Sequence, residues 1–194
     1  MKGLLNDLQI KGYGDSMISP FSSKSIKENN GIPCLSYGLS CFGYDIRLSP
    51  KNFKLFHNDT DAIIDVKNFN QTHLKDIISI VDETGEYFVI PPHTYGLGVS
   101  LEKVTMPNDI TAIAIGKSSY ARCGLIANIT PIEAGWAGHI TLEFSNSSDC
   151  PVKLYANEGV VQLLFFNGKV PEKDYAEKGG RYNNQPHRIV YSQV

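Results

Sequence analysis

A chain of 194 residues with 42% apolar and 20% charged side chains is long enough for one domain with a full core, and its composition is that of a soluble globular protein. A net charge of −2 lacks the basic footprint of a nucleic-acid binder. No apolar run approaches the roughly 20 residues that span a bilayer, so neither nucleic acid nor membrane is expected as a partner.

The segment Met1–Asp7 turns polar too early for a secretory signal, and the expected compartment is the cytoplasm. The next few residues predict a short helix with Leu4, Leu5 and Leu8 on one side, ended by Gly12 and Gly14. From Asp15 to about Ser36 the chain reads as polar and turn-rich.

Short strands follow, rich in Val, Ile, Thr, Phe and Tyr and separated by Gly, Pro, Asn and Ser. The predicted strands are Asp45–Leu48, Ala62–Val66, Glu86–Ile90, Leu97–Val104, Ile110–Ile115, Leu125–Thr130, Gly138–Asn146, Val152–Tyr155 and Val160–Phe166. Between them, Asn68–Val81 suits a short helix or a strand equally. No strands alternate with long helical stretches, which excludes a parallel α/β sheet in favour of a sandwich or barrel. No linker divides the chain, so residues 1–194 read as one domain. The tail from about Pro171 is polar and is expected either to be disordered or to close over something.

Cys34, Cys41, Cys123 and Cys150 are too few and scattered for a disulfide framework, and Cys34 and Cys41 lack the close spacing of a zinc knuckle.

Two segments could carry chemistry. Gly116-Lys117-Ser118-Ser119-Tyr120-Ala121-Arg122-Cys123-Gly124 reads as one helical turn, with Ser118 able to cap it and Gly124 able to end it. Free N–H groups beside Lys117 and two hydroxyls make a phosphate cradle, although a capped surface turn with a solvated lysine has the same sequence. Only the final G-K-S of a Walker loop is present. In Gly138–Asn146, alternation puts Ile140, Leu142 and Phe144 on a core face and His139, Thr141, Glu143 and Ser145 on the other. On composition alone Glu143 is a solvated strand position, and Glu133 an ordinary turn carboxylate.

Together these pieces resemble the dCTP deaminase family, a branch of the trimeric dUTPase superfamily. The matching motifs are Gly43-Tyr44-Asp45-Ile46-Arg47-Leu48, the 116–125 block, Thr130–Gly138, Thr141–Asn146, and a tail carrying Tyr175, Arg181-Tyr182 and Gln185. The resemblance implies a mainly β fold, a distorted β-barrel or jelly-roll of the dUTPase-like type with short helices, assembled as a homotrimer with active sites between subunits. It implies that Glu143 is the catalytic glutamate, with Ser118 and Arg122 at the attacking water. Lys117, Ser118, Ser119, Tyr120, Ala121 and Arg122 match the triphosphate block. Glu133, Thr141, Leu142, Gln162, Tyr175, Arg181 and Gln185 match nucleotide-contacting positions, with Arg181 standing where many members have lysine. Magnesium would enter with the triphosphate, dCTP would be the substrate and dTTP an inhibitor, and the tail from about 171 to 194 would close over the nucleotide.

Deaminating cytosine requires water to add at C4 and ammonia to leave, and one carboxylate within reach of the base edge can carry every proton. The zinc deaminases use H-x-E with a later P-C-x-x-C, and this sequence has neither, so zinc-independent chemistry is expected. The alternatives are a bifunctional dCTP deaminase and dUTP diphosphatase, or a dUTPase-like nucleotide-binding regulator.

Overall fold

The structure is a computed structural model that describes residues 3–57 and 63–193. It is built almost entirely of antiparallel strands. In chain order these are β1 (Ile18–Ser19), β2 (Ser25–Asn29), β3 (Ile32–Ser40), β4 (Gly43–Arg47), β5 (Phe53–Phe56), β6 (Leu74–Ile77), β7 (Ile80–Asp82) and β8 (Gly85–Ile90). They continue with β9 (Tyr95–Thr105), β10 (Ile110–Gly116), β11 (Leu125–Ala127), β12 (Thr130–Ile132), β13 (Ala137–Asn146), β14 (Val152–Tyr155) and β15 (Gly159–Asn167). Two short helices, α1 (Asp7–Tyr13) and α2 (Ser118–Ala121), complete the set.

The strands form three sheets. One runs β11-β13-β9-β5-β6 with β1 beside β9, a second runs β12-β10-β15-β4-β3-β2, and a third, small one runs β14-β8-β7. Their apolar faces meet in one core containing Tyr44, Phe53, Phe88, Phe144 and Phe165. The expected mainly β architecture is what the chain adopts. In β13, Gly138, Ile140, Leu142, Phe144 and Asn146 are buried and the residues between them are not, which is the predicted alternation. Among the described residues no helix is long and apolar enough to cross a membrane.

Five expectations need correction. Helix α1 begins only at Asp7, because Asn6 and Gln9 form a reciprocal capping box there. Leu4 and Leu5 therefore precede it, and the buried residues are Leu5 and Ile10, whereas Leu8 points to solvent at 73% exposure.

The stretch from Asp15 to Ser36 is not all turn. Asn30-Gly31, both at positive φ, form a two-residue hairpin loop joining β2 to β3. In the predicted strand Ala62–Val66, Ala62 lies outside the described residues and 63–66 form no strand, their side chains being largely exposed. The predicted strand Leu125–Thr130 is two strands in different sheets, β11 on β13 and β12 on β10, and the chain changes sheet at Asn128-Ile129. Asn68–Val81, which suited a short helix or a strand equally, contains a single 3-10 turn, Gln71–His73, then β6 and the start of β7, and β5 before it was not among the predicted strands.

The tail has no helix or strand but is docked. Ile189 is buried with Leu74 and Leu97, and Gln185 forms a parallel bridge with Gly138. Gly138 (φ +142) makes that approach possible, because a Cβ there would lie 2.5 Å from the Gln185 nitrogen. The tail therefore closes over the face of β13 that carries Glu143.

Candidate active site

The solvent-side face of β13 forms the floor of a cavity of about 680 Å³, within the range of small-molecule sites. Thr141 and Glu143 rise from the floor, Asn128, Thr130 and Glu133 form one wall, and Phe56, Phe69, Tyr95 and Tyr191 supply an aromatic side. Trp136, Tyr175, Tyr182 and Gln185 close it from the tail end.

Thr141 holds the tail in place. Its hydroxyl bonds the Gln185 side-chain oxygen at 3.2 Å and accepts from the Val190 N–H at 3.1 Å. The Trp136 indole donates to the Tyr182 carbonyl at 2.6 Å, and the His139 N–H donates to the Gln185 carbonyl at 3.0 Å.

Burial raises the Glu143 carboxyl above its ordinary value, while the Asn128 amide and the Thr130 hydroxyl beside it pull the other way. The change of sheet explains why those two residues are there. The Asn128 N–H donates to the Glu143 carbonyl at 3.0 Å, and its amide then bonds the Thr130 hydroxyl at 3.3 Å. Sequence reasoning missed both residues. The available signal was an asparagine inside an apparent strand, where its propensity is poor. The aromatic side was missed as well, because Phe69 and Tyr191 stack (5.7 Å between centroids) from segments 122 positions apart, a juxtaposition that only folding creates.

A second, polar cavity of about 730 Å³ adjoins the first and shares Phe69, Gln185 and Tyr191 with it. Arg181 and Arg188 line it. A largely apolar chamber beside a polar one carrying two guanidinium groups suits a nucleotide, with carboxylate chemistry at the base and cations at the phosphates.

The 116–124 block lies elsewhere. Lys117, not Ser118, occupies the cap position of α2, without a side-chain capping bond. Ser118 is instead the first residue of the turn, and Gly124 (φ +80) ends it. Ser118, Ser119, Ala121 and Arg122 are exposed, and none of them lines the Glu143 cavity.

The Lys117 ammonium is tied to Asp45 at 2.6 Å. Tyr120 is buried, its hydroxyl accepting from the Tyr155 N–H at 3.0 Å, so its side chain is structural. Gln162 sits on β15 and donates to the Ser40 hydroxyl at 3.1 Å, outside the cavity lining. Leu142 points into the core and can offer only backbone to a ligand. Thus Glu143, Thr141, Glu133, Tyr175 and Gln185 come together within one chain, with Arg181 adjoining. Lys117, Ser118, Ser119, Tyr120, Ala121, Arg122 and Gln162 do not join them.

A family model described as dCTP deaminase-like matches residues 4–168. The chain belongs to the dCTP deaminase-like family. Similar relatives include proteins named dCTP deaminase from Anaplasma phagocytophilum, 48% identical over 172 residues (88% of this chain and 87% of the relative). Another, from Orientia tsutsugamushi, is 45% identical over 185 residues (94% and 95%). Among solved structures, the 2'-deoxycytidine 5'-triphosphate deaminase of Agrobacterium tumefaciens superposes with a TM-score of 0.56 at 19% identity. That superposition covers 86% of this chain but 48% of that one, and supports the fold. The family match ends at residue 168, before Tyr175, Arg181 and Gln185, so the placement of the tail against the cavity rests on the geometry above.

Proposed function

We propose that this chain hydrolyses dCTP to dUTP and ammonia, with Glu143 as the proton shuttle. The observation that carries the reading is a half-buried carboxylate on the floor of a largely apolar cavity, raised in pKa by burial. A carboxyl tuned upward holds a proton more readily than an ordinary carboxylate, as a group that both takes and returns one must.

Glu143 takes a proton from water as its oxygen bonds to C4 of cytosine, and passes that proton to N3. The remaining hydroxyl proton travels by the same carboxylate to the exocyclic nitrogen. The C4–N bond then breaks and ammonia leaves, with the C4 carbonyl formed and the carboxylate restored. The substrate is the magnesium complex of dCTP, the ion riding on the phosphates, and the reaction is zinc-independent, in keeping with a sequence that has neither the H-x-E nor the P-C-x-x-C of the zinc deaminases.

Ser118 and Arg122 hold the water, and Ser119 binds phosphate, from a neighbouring copy in a homotrimer. Supporting this, they are exposed in the single chain and lie outside its Glu143 cavity. Ile113, Ile126 and Ile129 on β10 and the β11–β12 segment are also exposed, as an apolar contact between copies requires. Arg181 takes part of the triphosphate charge, Gln185 and Tyr175 close on the nucleotide, and dTTP is an inhibitor at the same cleft.

Incubation of the pure chain with dCTP and magnesium, followed by nucleotide and ammonia analysis, tests the proposal. Equal amounts of dUTP and ammonia are expected. Conversion to dUMP and pyrophosphate would add the diphosphatase activity, and unchanged dCTP would remove Glu143 from its role and favour a binding module. A sedimentation mass of one chain would remove the shared site.

A further inference from the structure

Among the described residues three acids are buried, Asp45, Glu102 and Glu158. Two of them face a cation, since Lys117 lies 2.6 Å from Asp45 and Arg47 lies 2.7 Å from Glu102. Glu158, only 6% exposed, has none. Its Oε2 accepts from the Leu35 N–H at 2.7 Å, and its Oε1 has no hydrogen-bond partner among the described residues. No partnerless side-chain oxygen among those residues is sealed from solvent. Oε1 therefore opens outward, 3.5 Å from where a Cβ on Gly85 would sit.

It opens into a polar cavity of about 560 Å³ that shares no lining residue with the Glu143 cavity. The cavity lies between the β2–β3 hairpin, the end of β4, the β7–β8 turn and the 156–158 loop. Glu28 and Glu86 also line it, and the one cation in its wall, Arg47, is already paired with Glu102. Glu86 has neutral partners, the Ser79 hydroxyl at 2.6 Å and the Asn157 amide at 3.0 Å. Three carboxylates with no free cation beside them exclude an anion. Burial raises the Glu158 carboxyl, with the Leu35 N–H pulling the other way. A buried carboxylate with one bare oxygen is costly until a positive partner reaches it.

We propose that this cavity binds an aliphatic polyamine, with one ammonium group at Glu158 Oε1 and another at Glu86 or Glu28. Among the described residues no three His, Cys, Asp or Glu side chains come together to hold a metal ion. Carboxylates dispersed in this way suit charges spread along a chain. A guanidinium recognises a carboxylate through both oxygens, and Glu158 has one to offer. An ammonium is a compact donor for which one oxygen is enough. The volume is within the range of small-molecule sites, and a ligand there ties the hairpin to the small β14-β8-β7 sheet. Binding is read without turnover, so its outcome is independent of the role given to Glu143.

The test is calorimetric titration of the full chain with spermidine, beside butylamine and sodium chloride at matched ionic strength. Saturable binding of one spermidine per chain is expected, with butylamine weaker by roughly tenfold or more, the scale of one hydrogen bond between charged groups. Glu158→Gln keeps an oxygen for the Leu35 N–H and should weaken spermidine by a similar factor. Hydrogen exchange of the wild-type chain gives an answer even where that variant does not fold. Spermidine should protect the Leu35 amide and the backbone at 84–86 and 156–158. Heat that does not saturate, heat that sodium chloride reproduces, equal affinity for butylamine or in Glu158→Gln, or protection confined to other segments would overturn the site. So would an absence of binding, as when a lysine of a second copy already fills the cavity.

Discussion

Replacing Glu143 with glutamine removes the ability to move protons while preserving the shape of the side chain. Thr141 still holds Gln185 and Val190, the aromatic side is untouched, and the Asn128 and Thr130 side chains can bond an amide oxygen as readily as a carboxylate. Nucleotide affinity should therefore change by less than about threefold.

Turnover should fall by roughly 10²- to 10⁴-fold, the range for a single general acid–base group. At 1.36 kcal/mol per tenfold that is about 2.7–5.5 kcal/mol of barrier. The loss belongs at the upper end, because the one carboxylate serves both water addition and amine departure. Ammonia release gives kcat. Quenching of Trp136, the only tryptophan and a member of the cavity lining, gives the dissociation constant. A variant that retains more than a tenth of wild-type turnover would refute the mechanism. Lost binding with turnover preserved at saturating substrate would make Glu143 a binding group instead.

Burial raises the Glu143 carboxyl and the base form must be ionised, so kcat/KM should decline with falling pH through a value above the ordinary carboxylate range; Asn128→Ala removes a group that favours the charge and should move that limb higher in a pH–rate profile. The two N–H groups of the Asn146 amide are shared among the carbonyls of Ile90, Pro91 and Cys150, and its oxygen accepts from the Ser148 N–H. Asn146→Ala should therefore destabilise by about 3 kcal/mol at roughly 1 per lost bond, seen as a lower midpoint in urea, and an unchanged midpoint would show that water replaces those bonds.

His139 stacks on His187 of the tail at 4.3 Å, and its pKa is lowered by burial, then by His187 and Lys103. Neutral His139 is thus favoured in the docked state, and tail docking should weaken as pH falls from its unfolded value of about 6.5 towards the lowered value. Trp136 emission should report the release through its bond to Tyr182, and His187→Asn should flatten the transition; an unaltered curve would exclude the pair as its source.

What the sequence disclosed and what it hid divide along physical lines. The alternation in β13 is a local signal, two residues long in period, and it placed Glu143 on the face opposite the core and Phe144 in the core without any knowledge of neighbours, but could not tell a cleft from solvent. The β2–β3 hairpin was equally local, since Asn30-Gly31 is a strong turn signal, but the polar stretch around it masked the strands. The break at Asn128-Ile129 is weaker. Val, Ile and Ala on either side read as one strand, and only the competing partners β13 and β10 pull the two halves into separate sheets.

Lys117 marks the limit of sequence reading. Beside two serines it has the sequence of a phosphate cradle, yet its ammonium is held by an aspartate 72 positions away, and no property of residues 116–124 reveals that. The same reasoning separates the two halves of the site. Ser118 and Arg122 precede Glu143 by little more than twenty residues, so proximity in sequence invites placing them in one pocket. The path through β11, β12 and β13 instead leaves α2 outside the cavity whose floor carries Glu143. A site that needs both must draw them from two copies of the chain, which on the proposed trimer ties catalysis to assembly: a substitution at exposed Ile113 or Ile126, neither of which lines the Glu143 cavity, that kept the chain folded but monomeric would abolish turnover with Glu143 undisturbed.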